Sequence, residues 1–543
     1  MVPFRVSLRL LCGAAAIGLA LFARQGAFAQ TNNHDADAID KIWQNANRKY
    51  DKARSGLVQS VDRQAHSGPF RPDWASLQKY RNPAWYEDAK FGIFIHWGLY
   101  AVPAFANEWY SRNMYQRGSR EFEHHVATYG PQAKFGYKDF IPKFTADQFD
   151  ARAWARLFRE AGARYVVPVA AHHDGFPNYD SNLTDWCAGK MGPKRDLLRE
   201  LSQAIRGEGL HFGASTHRAE HDWFFDGGRA FDSDVADPRF AAFYGPAHPR
   251  SVRDGFDHNL IEDWTYVSPA FLDDWLARTA EIVEKYQPDL IYFDWWVGQP
   301  SFRGHLTRFA AYYYNKGAQG GKEVVVNYKD HAFQEGSAAF DVERGQLTDI
   351  RPQHWQTDTS ISNASWGYLP NDTYKSPELI VHQLVDIVSK NGNLLLNVTP
   401  RPNGTIPDEE QAILREVGAW LKVNGEAIYD TRPWKRFGEG PTQVAGGAFQ
   451  DAKSKPFTAQ DFRFTMKGST VYAIELGWPS SSSGRTVIHS LGSTTLGDAK
   501  IQSVKLLGSD ASPKWRQLAD QLEIEVPPSR PGNHAYVFAV AVR

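Results

Sequence analysis

Short apolar segments alternate with longer amphipathic segments from about residue 84 to residue 425. The apolar segments are rich in β-branched and aromatic residues, which is typical of buried β-strands. This regular alternation of strand and helix favours a parallel α/β architecture. The predicted strands are Phe91–His96, Tyr165–Ala171, His211–Ser215, Leu290–Asp294, Val324–Asn327, Phe340–Glu343 and Leu394–Val398.

The amphipathic segments between these strands predict helices. Thr145–Ala161 opens with Thr-Ala-Asp-Gln, a sequence typical of a capping box, and then repeats large apolar residues at helical spacing. Seven or eight strand–helix units predict a (β/α) barrel, similar to a TIM barrel, over residues 81–432. The alternative, a doubly wound sheet, lacks support because no G-x-G-x-x-G sequence follows a strand. Further helices are expected over Asp196–Ile205, Phe271–Tyr286, Leu306–Tyr314 and Pro377–Ser389.

After Pro433 the pattern changes to short alternating segments separated by clusters of Gly, Ser and Pro. Such a pattern without a long helix predicts an antiparallel β-sandwich over residues 433–543. We expect this domain to pack against the barrel, with a carbohydrate-binding module as the alternative. The predicted strands are Phe462–Thr465, Thr470–Glu475, Thr486–His489, Ile501–Leu506, Leu522–Val526 and Ala535–Val542.

The amino terminus has the pattern of a secretory signal peptide over residues 1–29. Arg5 and Arg9 precede an apolar segment too short to span a bilayer, and Ala27-Phe28-Ala29 is a typical cleavage signal. We therefore expect cleavage after Ala29 and export to a periplasm or the exterior. Residues 30–80 form a polar extension, with a helix predicted over Asp37–Ala53. No later segment is apolar enough to serve as a membrane anchor.

Composition narrows the range of partners. A net charge of −1 gives no indication of nucleic acid or anionic lipid as a partner. Of two cysteines, Cys12 lies in the signal peptide, so Cys187 cannot form an intramolecular disulfide. Eighteen tryptophans are compatible with stacking on sugar rings, although most of them must serve the core. The sequence does not fix the oligomeric state.

Polar residues follow two of the predicted strands where each strand ends. His96 ends the first strand, and Glu108 and Trp109 lie in the following loop. His172 and His173 end the second strand, before a glycine turn. Polar and aromatic groups at the ends of buried strands are how a barrel builds a binding pocket. Hydrogen bonding to sugar hydroxyls is one interpretation of the paired histidines, and a histidine satisfied within the core is another.

A metal site is a further interpretation of His172 and His173. Adjacent residues on a strand point to opposite faces, so both cannot ligate one ion without a bulge. No third His or Cys lies nearby at metal-ligand spacing along the chain, which disfavours a metal on ligand count.

A carboxylate, Asp294, follows the fully apolar strand Leu290–Phe293 and precedes Trp295 and Trp296. Burying a carboxylate is costly unless it is hydrogen-bonded or functional, and aromatic neighbours strengthen its electrostatics. Pairing with a barrel arginine is the structural alternative. A charge at the carboxyl end of a barrel strand favours a catalytic role.

One reaction in which a carboxylate at this position acts is cleavage of a glycosidic bond, which uses a second carboxylate as well. The downstream candidates are Glu335, Asp341, Glu343 and Asp349. If Phe340 and Val342 face the helices, the two-residue period places Asp341 and Glu343 on the inward face. Glu343 is nearer the strand end, and Asp341 is the alternative.

Several of these motifs resemble the family 29 glycoside hydrolases, the α-L-fucosidases. The resemblance covers roughly residues 80–435 and is carried by Trp85–Tyr110, His172–Phe176, Lys390–Pro400 and Trp420–Ile428. Two departures stand out. The strand after His211 lacks the tyrosine pair of many members and continues Ser-Thr-His-Arg-Ala-Glu-His, as in a bacterial branch. Lys329 stands where some members have an arginine.

The resemblance implies an exo-acting, retaining α-L-fucosidase that acts on fucosylated glycans without a cofactor or metal. It implies Asp294 as the nucleophile and Glu343 as the general acid/base. An apolar patch for the sugar methyl group would come from Trp295 or Phe94. A non-catalytic fucose-binding protein and a metal-dependent hydrolase are the competing hypotheses. The expected substrate contacts are His96, Glu108, Trp109, His172, His173, His217, Trp295 and Lys329.

Overall fold

Eight parallel strands close into a barrel in the order in which they occur along the chain. The computed structural model describes residues 36–250, 265–451, 453, 455–479, 484–510 and 512–543. The barrel closes where β1 pairs with β8. The expected (β/α) barrel is therefore confirmed. Its strands are β1 (Phe91–Ile95), β2 (Tyr165–Ala171), β3 (His211–Thr216), β4 (Leu290–Phe293), β5 (Val325–Tyr328), β6 (Ala339–Asp341), β7 (Trp355–Ser360) and β8 (Gly392–Val398).

Strand β7 is the one barrel strand that the hydrophobic pattern does not predict. Its sequence, Trp-Gln-Thr-Asp-Thr-Ser, is polar after the first residue, yet all six residues are buried. It pairs with β8 over its whole length. A polar strand is stable here because its side chains find partners inside the barrel, and Gln356 accepts hydrogen bonds from Tyr86 and Tyr165.

Helices cover the barrel, and the five helices predicted between its strands are present, one of them with a later start than expected. The helix predicted from Thr145 begins at Ala151, because Asp150 caps it by accepting from the N–H groups of Arg152 and Ala153. The α-helices are α1 (36–47), α2 (Asp51–Ala65), α3 (Trp74–Leu77), α4 (Ala84–Ala89), α5 (Tyr110–Asn113), α6 (Arg120–Tyr129), α7 (Ala151–Glu160), α8 (Leu197–Gly207), α9 (Ala241–Tyr244), α10 (Pro269–Tyr286), α11 (Arg303–Gln319), α12 (Pro377–Ser389), α13 (Asp408–Asn424) and α14 (Ser493–Leu496).

The amino-terminal extension packs against the outside of the barrel. The ring of Trp43, 1% exposed, lies 5.7 Å from that of Phe271 at the start of α10. Arg54 of α2 donates a 3.1 Å hydrogen bond to the fully buried Asp274 of α10. The helix predicted up to Ala53 is interrupted by a single 3-10 turn and continues as α2 to Ala65. The predicted signal peptide lies outside the described residues.

The carboxyl-terminal part forms two antiparallel sheets, as expected. One has five strands in the order β13-β16-β11-β10-β9, and the other has three in the order β12-β15-β14. The pattern does not predict β9 and β14, which expose much of their length. These strands are β9 (Arg432–Glu439), β10 (Phe462–Lys467), β11 (Thr470–Glu475), β12 (Arg485–Ile488), β13 (Ile501–Leu506), β14 (Trp515–Gln517), β15 (Leu522–Glu525) and β16 (Tyr536–Val542).

Buried polar contacts join these sheets to the barrel. Arg463 of β10 donates a 2.6 Å hydrogen bond to Asp386 of α12, and both side chains are nearly fully buried. The indole of Trp420 donates to the carbonyl of Ala535 at 2.8 Å. Among the described residues, no helix has the length and apolar character needed to cross a membrane.

Candidate active site

Asp294 lies directly after β4, at the carboxyl end of the barrel. Its side chain is 8% exposed and receives polar contacts on both oxygens. Oδ2 is 3.0 Å from Nδ1 of His217, and Oδ1 is 3.2 Å from Nζ of Lys329. A carboxylate this deep is stable as an anion because it is paired and hydrogen-bonded.

Lys329 joins Asp294 to Glu343. The ammonium group donates a 2.7 Å hydrogen bond to Oε2 of Glu343 and lies 3.3 Å from Oδ2 of Asp358. Lys329 follows β5, Glu343 follows β6 and Asp358 lies in β7, so three adjacent strands converge on one cation. The side chain of Glu343 is 18% exposed, the most accessible of these groups.

Hydrogen-bonded side chains from the barrel interior lie beside the ammonium group of Lys329. The hydroxyl of Tyr292 donates to Asp358 at 2.8 Å and approaches Asp341 at 3.4 Å. Asp341 also accepts a 2.7 Å hydrogen bond from the amide of Gln356. Asp341 is 1% exposed and binds these inner groups. Glu343, by contrast, binds Lys329 and reaches solvent, which favours Glu343 over Asp341 as the group that meets a substrate.

The two candidate carboxyls have opposite pKa shifts. Burial opposes ionisation of Asp294, but Lys329 and His217 outweigh it and hold its pKa well below the usual range. Burial raises the pKa of Glu343 to about 7; Asp358 and Asp294 add to the increase, and Lys329 opposes it. At neutral pH Asp294 is therefore ionised, while a large fraction of Glu343 is protonated. Divergent pKa values of this kind distinguish a nucleophile from an acid.

Four histidines gather beside Asp294. The ring of His172 lies 5.7 Å from that of His96, 4.1 Å from that of His173 and 5.0 Å from that of His217. Burial lowers the pKa of His96, His172 and His173, so these rings are neutral. Neutral imidazoles each offer one donor and one acceptor, which suits recognition of hydroxyl groups.

Glu220 lies behind this cluster. It follows β3 and places Oε2 3.5 Å from Nδ1 of His173. Burial raises the pKa of Glu220 to about 8, and the charge of Asp294 adds to the increase. Glu220 is therefore a neutral acid beside His173 at neutral pH. The sequence shows Glu220 after the third strand but gives no indication of this contact.

Glu108 and an unpredicted tryptophan form one wall of the cluster. Glu108 accepts 2.9 Å hydrogen bonds from the hydroxyl of Ser365 and the backbone N–H of Trp366. The Trp366 ring lies 5.0 Å from that of His96 and 6.2 Å from that of Phe94. Trp366 is thus an apolar surface next to the histidines. The sequence signal for it was a Trp-Gly-Tyr segment that the predicted strands did not include.

The aromatic residues expected to contact the substrate lie in different parts of the site. Trp109 packs with its ring 5.3 Å from His173. Trp295 is 7% exposed, with its ring 6.4 Å from that of Trp223. Phe94 is 1% exposed and lies 4.5 Å from His96. Of the two residues expected to supply an apolar patch, Phe94 therefore contacts the histidine cluster through its ring.

Asn397 fixes the orientation of His96. Its side-chain oxygen accepts from Nδ1 of His96 at 2.8 Å and from the backbone N–H of His96 at 2.9 Å. Its amide group donates to Ser360 and to the carbonyl of Trp366. This arrangement leaves Nε2 of His96 as the acceptor nitrogen. Asn397 lies in an apolar strand, where the residue pattern alone does not reveal such a role.

In the part of the chain that the structure describes, two groups of donors have the spacing of a metal site. Within each group the ligand atoms lie within 4.8 Å of one another: His96, His172 and His217, and His173, His217 and Asp294. The argument from ligand count is therefore wrong, because other strands supply the donors that the local sequence lacks. His172 and His173 fall in different groups. Both nitrogens of His217 already have partners, Ser215 and Asp294, so a metal would displace one hydrogen bond.

A closed barrel that carries paired carboxylates with divergent pKa values at its strand ends is typical of a glycoside hydrolase. Comparison with known families agrees with that class. A family model described as Alpha-L-fucosidase matches residues 57–426, and one described as Alpha-L-fucosidase C-terminal domain matches residues 455–541. The chain belongs to the α-L-fucosidase family, as the sequence motifs indicated.

Individual relatives support the same assignment over most of the chain. Tissue alpha-L-fucosidase from Homo sapiens is 32% identical over 497 residues, covering 90% of this chain and 94% of its own length. Plasma alpha-L-fucosidase from Homo sapiens is 33% identical over 478 residues, covering 85% and 90%. The crystal structure of Thermotoga maritima alpha-fucosidase in complex with fucose aligns with a TM-score of 0.68 and 31% identity, covering 87% of this chain and all of that one.

Proposed function

We propose that the protein is an exo-acting, retaining α-L-fucosidase, with Asp294 as nucleophile and Glu343 as general acid/base. The observation that carries the proposal is the position of Lys329, within 3.2 Å of Asp294 Oδ1 and 2.7 Å of Glu343 Oε2. Two oxygens that contact one nitrogen are at most about 6 Å apart, an upper limit that is compatible with the roughly 5–5.5 Å between the carboxyls of retaining enzymes and lies below the roughly 6.5–9.5 Å of inverting ones.

The first step joins the sugar to the enzyme. Ionised Asp294 attacks the anomeric carbon, the glycosidic bond breaks, and protonated Glu343 delivers its proton to the departing oxygen. In the second step Glu343 takes a proton from water, and the resulting hydroxide displaces Asp294 to release fucose. The pKa of Glu343, about 7, suits both transfers near neutral pH.

The neutral histidines, with Glu108 and Trp109, are proposed to hold the sugar hydroxyls. Nδ1 of His172 and Nδ1 of His173 are buried without a hydrogen-bond partner among the described residues. Such groups discriminate against a sugar that leaves them unpaired. Trp366 and Phe94 are proposed to meet the 6-deoxy carbon. The side chain of Asp358, beside Lys329, is 1% exposed, so the site has no opening to solvent on that side. A site with one closed end fits the terminal residue of a glycan.

Replacement of the nucleophile tests the assignment. Asp294→Gly should abolish hydrolysis of an aryl α-L-fucoside, and azide should restore turnover with formation of the β-fucosyl azide. Asp289→Gly is the control, since Asp289 precedes β4 at the opposite end of the barrel, where its side chain accepts a 3.3 Å hydrogen bond from the N–H of Phe212. Full activity in the Asp294 variant, or an α-configured azide product, would exclude the proposed mechanism.

Two other functions make different predictions. A fucose-binding protein would bind fucose but release none from any fucosylated oligosaccharide, so a screen of α-1,2, α-1,3, α-1,4 and α-1,6 linkages decides this alternative. A metal-dependent hydrolase at the histidine groups would lose activity with a chelator.

The proposed site of action is outside the cytoplasm. This proposal rests on the charged, apolar and small-residue segments of residues 1–29, which resemble a cleavable signal peptide. Amino-terminal sequencing of the protein isolated from its native host should begin at Gln30. Recovery of the protein with Met1 intact would contradict export by this route.

A further inference from the structure

A segment between β9 and β10, residues 446–451, returns from the carboxyl-terminal sheets to the barrel. The carbonyl of Glu343 accepts a 2.9 Å hydrogen bond from the N–H of Phe449. The next carbonyl, that of Arg344, accepts from the N–H groups of Gln450 and Asp451 at 2.9 and 3.0 Å. The return segment is therefore bonded directly to the candidate acid/base and its neighbour.

The side chain of Asp451 anchors the same segment. It accepts a 2.7 Å hydrogen bond from the hydroxyl of Thr359 at the end of β7 and lies 3.2 Å from the ammonium of Lys375. Arg344 approaches it at 3.8 Å. Asp451 is 5% exposed, so these contacts hold the segment in one position against the barrel.

Side-chain exposure increases from the floor of the site towards this segment. Asp358 is 1% exposed, Asp294 8% and Glu343 18%. Substrate therefore enters from the side of Glu343. Because Glu343 protonates the departing oxygen, the leaving group must lie on that side as well.

Phe449 is the exposed aromatic residue of the return segment. It is 47% exposed, although its backbone N–H is bonded to Glu343. Its φ of 56° and that of Arg344, 42°, both lie in the left-handed region. A bulky residue rarely adopts this conformation, and such strain is commonly held where the surrounding structure serves a function. The exposed ring and the strained backbone occur at the same residue, next to the acid/base.

We propose that Phe449 is the platform on which the leaving-group sugar stacks. The apolar face of a pyranose ring would lie on the phenyl ring while its glycosidic oxygen receives the proton of Glu343. The carboxyl-terminal domain thereby contributes to the choice of substrate. This proposal rests on the proposed function, because it requires Glu343 to act as the acid.

The experiment compares two substrates that both need a proton on the departing oxygen. One is a fucosyl disaccharide, whose leaving group has a sugar ring, and the other is methyl α-L-fucopyranoside, which has none. Phe449→Ala should lower kcat/KM for the disaccharide about tenfold, mainly through KM, and leave the methyl fucoside unchanged. Phe449→Tyr should retain wild-type values for both. Trp515→Ala, which removes another exposed aromatic of the same domain, should affect neither.

Each other outcome has a definite meaning. An equal loss on both substrates would show that Phe449 only positions Glu343, and no loss on either would exclude contact with the leaving group. A loss that accompanies a change of oligomeric state in gel filtration would assign Phe449 to a subunit contact. Each of these three results would contradict the proposal that the leaving-group sugar stacks on Phe449. If the wild-type protein cleaves neither substrate nor any aryl α-L-fucoside, the proposed function itself fails.

Discussion

The Lys329 ammonium lies 3.3 Å from the Asp358 carboxylate, and the two side chains are only 6% and 1% exposed. Burial alone would disfavour the charged form of Lys329, but Asp358, Glu343 and Asp294 together hold its pKa well above the usual range. Asp358 therefore stabilises the cation that both candidate catalytic carboxyls share. Neither Lys329 nor Asp358 transfers a proton in the proposed mechanism, so Asp358 is a positioning residue.

Asp358→Asn should move the pH dependence of the reaction. The negative charge of Asp358 raises the pKa of Glu343, so its removal lowers that pKa. Less Glu343 is then protonated at pH 7, and the alkaline limb of kcat/KM should shift to lower pH. Asn can still accept the hydrogen bond from Tyr292. A pH profile measures the shift, and Asp349→Asn, an exposed carboxylate, is the control. A uniform loss at every pH would indicate a structural defect instead.

The wild-type enzyme should lose activity as pH rises through about 7. In the proposed mechanism Glu343 must be protonated to assist departure of the leaving group. Its pKa of about 7 therefore places the alkaline limb of the kcat/KM profile near pH 7. Asp294 must be ionised, and its pKa below the usual range places any limb of its own at strongly acidic pH. In Glu343→Gln the limb near pH 7 should disappear from the residual activity on an activated aryl fucoside. Persistence of that limb would assign it to another group.

Chelation should leave the activity unchanged. His217 has hydrogen-bond partners on both nitrogens, and Nδ1 of His96 binds Asn397, so these rings are already held in place without an ion. Turnover of an aryl fucoside before and after dialysis against EDTA measures the effect. Restoration of lost activity by added Zn²⁺ would support the metal-dependent alternative at the two histidine groups.

Asp274→Ala should destabilise the fold. Asp274 is fully buried and accepts hydrogen bonds from three arginines, Arg54, Arg218 and Arg278. Removing the carboxylate that these buried cations share costs about 3–5 kcal/mol. Asp273→Ala is the matched control, because that neighbouring side chain is 46% exposed and its pairs are worth about 0–1 kcal/mol. Thermal unfolding should show a clearly lower midpoint for the Asp274 variant alone.

The periodic pattern predicted seven of the barrel strands and the helices α1, α7, α8, α10, α11 and α12, because burying one face of each element requires apolar residues at fixed spacing. It failed at β7, where the buried side chains after Trp355 are polar and bond to residues of other elements, as Gln356 does with Tyr86 and Tyr165. It also misplaced the start of α7, since Asp150 is the better cap. A local pattern does not report partners that come from distant strands.

The sequence alone determined the fold class, the family and the two carboxylates proposed for bond breaking. Motifs near His96, His172 and Asp294 carry that information locally. The tertiary structure decided which residues these side chains contact. It placed Lys329 between Asp294 and Glu343 and shifted the pKa values of the two carboxyls in opposite directions. It also brought the backbone N–H of Phe449 to the carbonyl of Glu343, the proposed acid/base. Those relationships depend on barrel closure, which joins segments far apart in the chain, and on desolvation, which only packing creates.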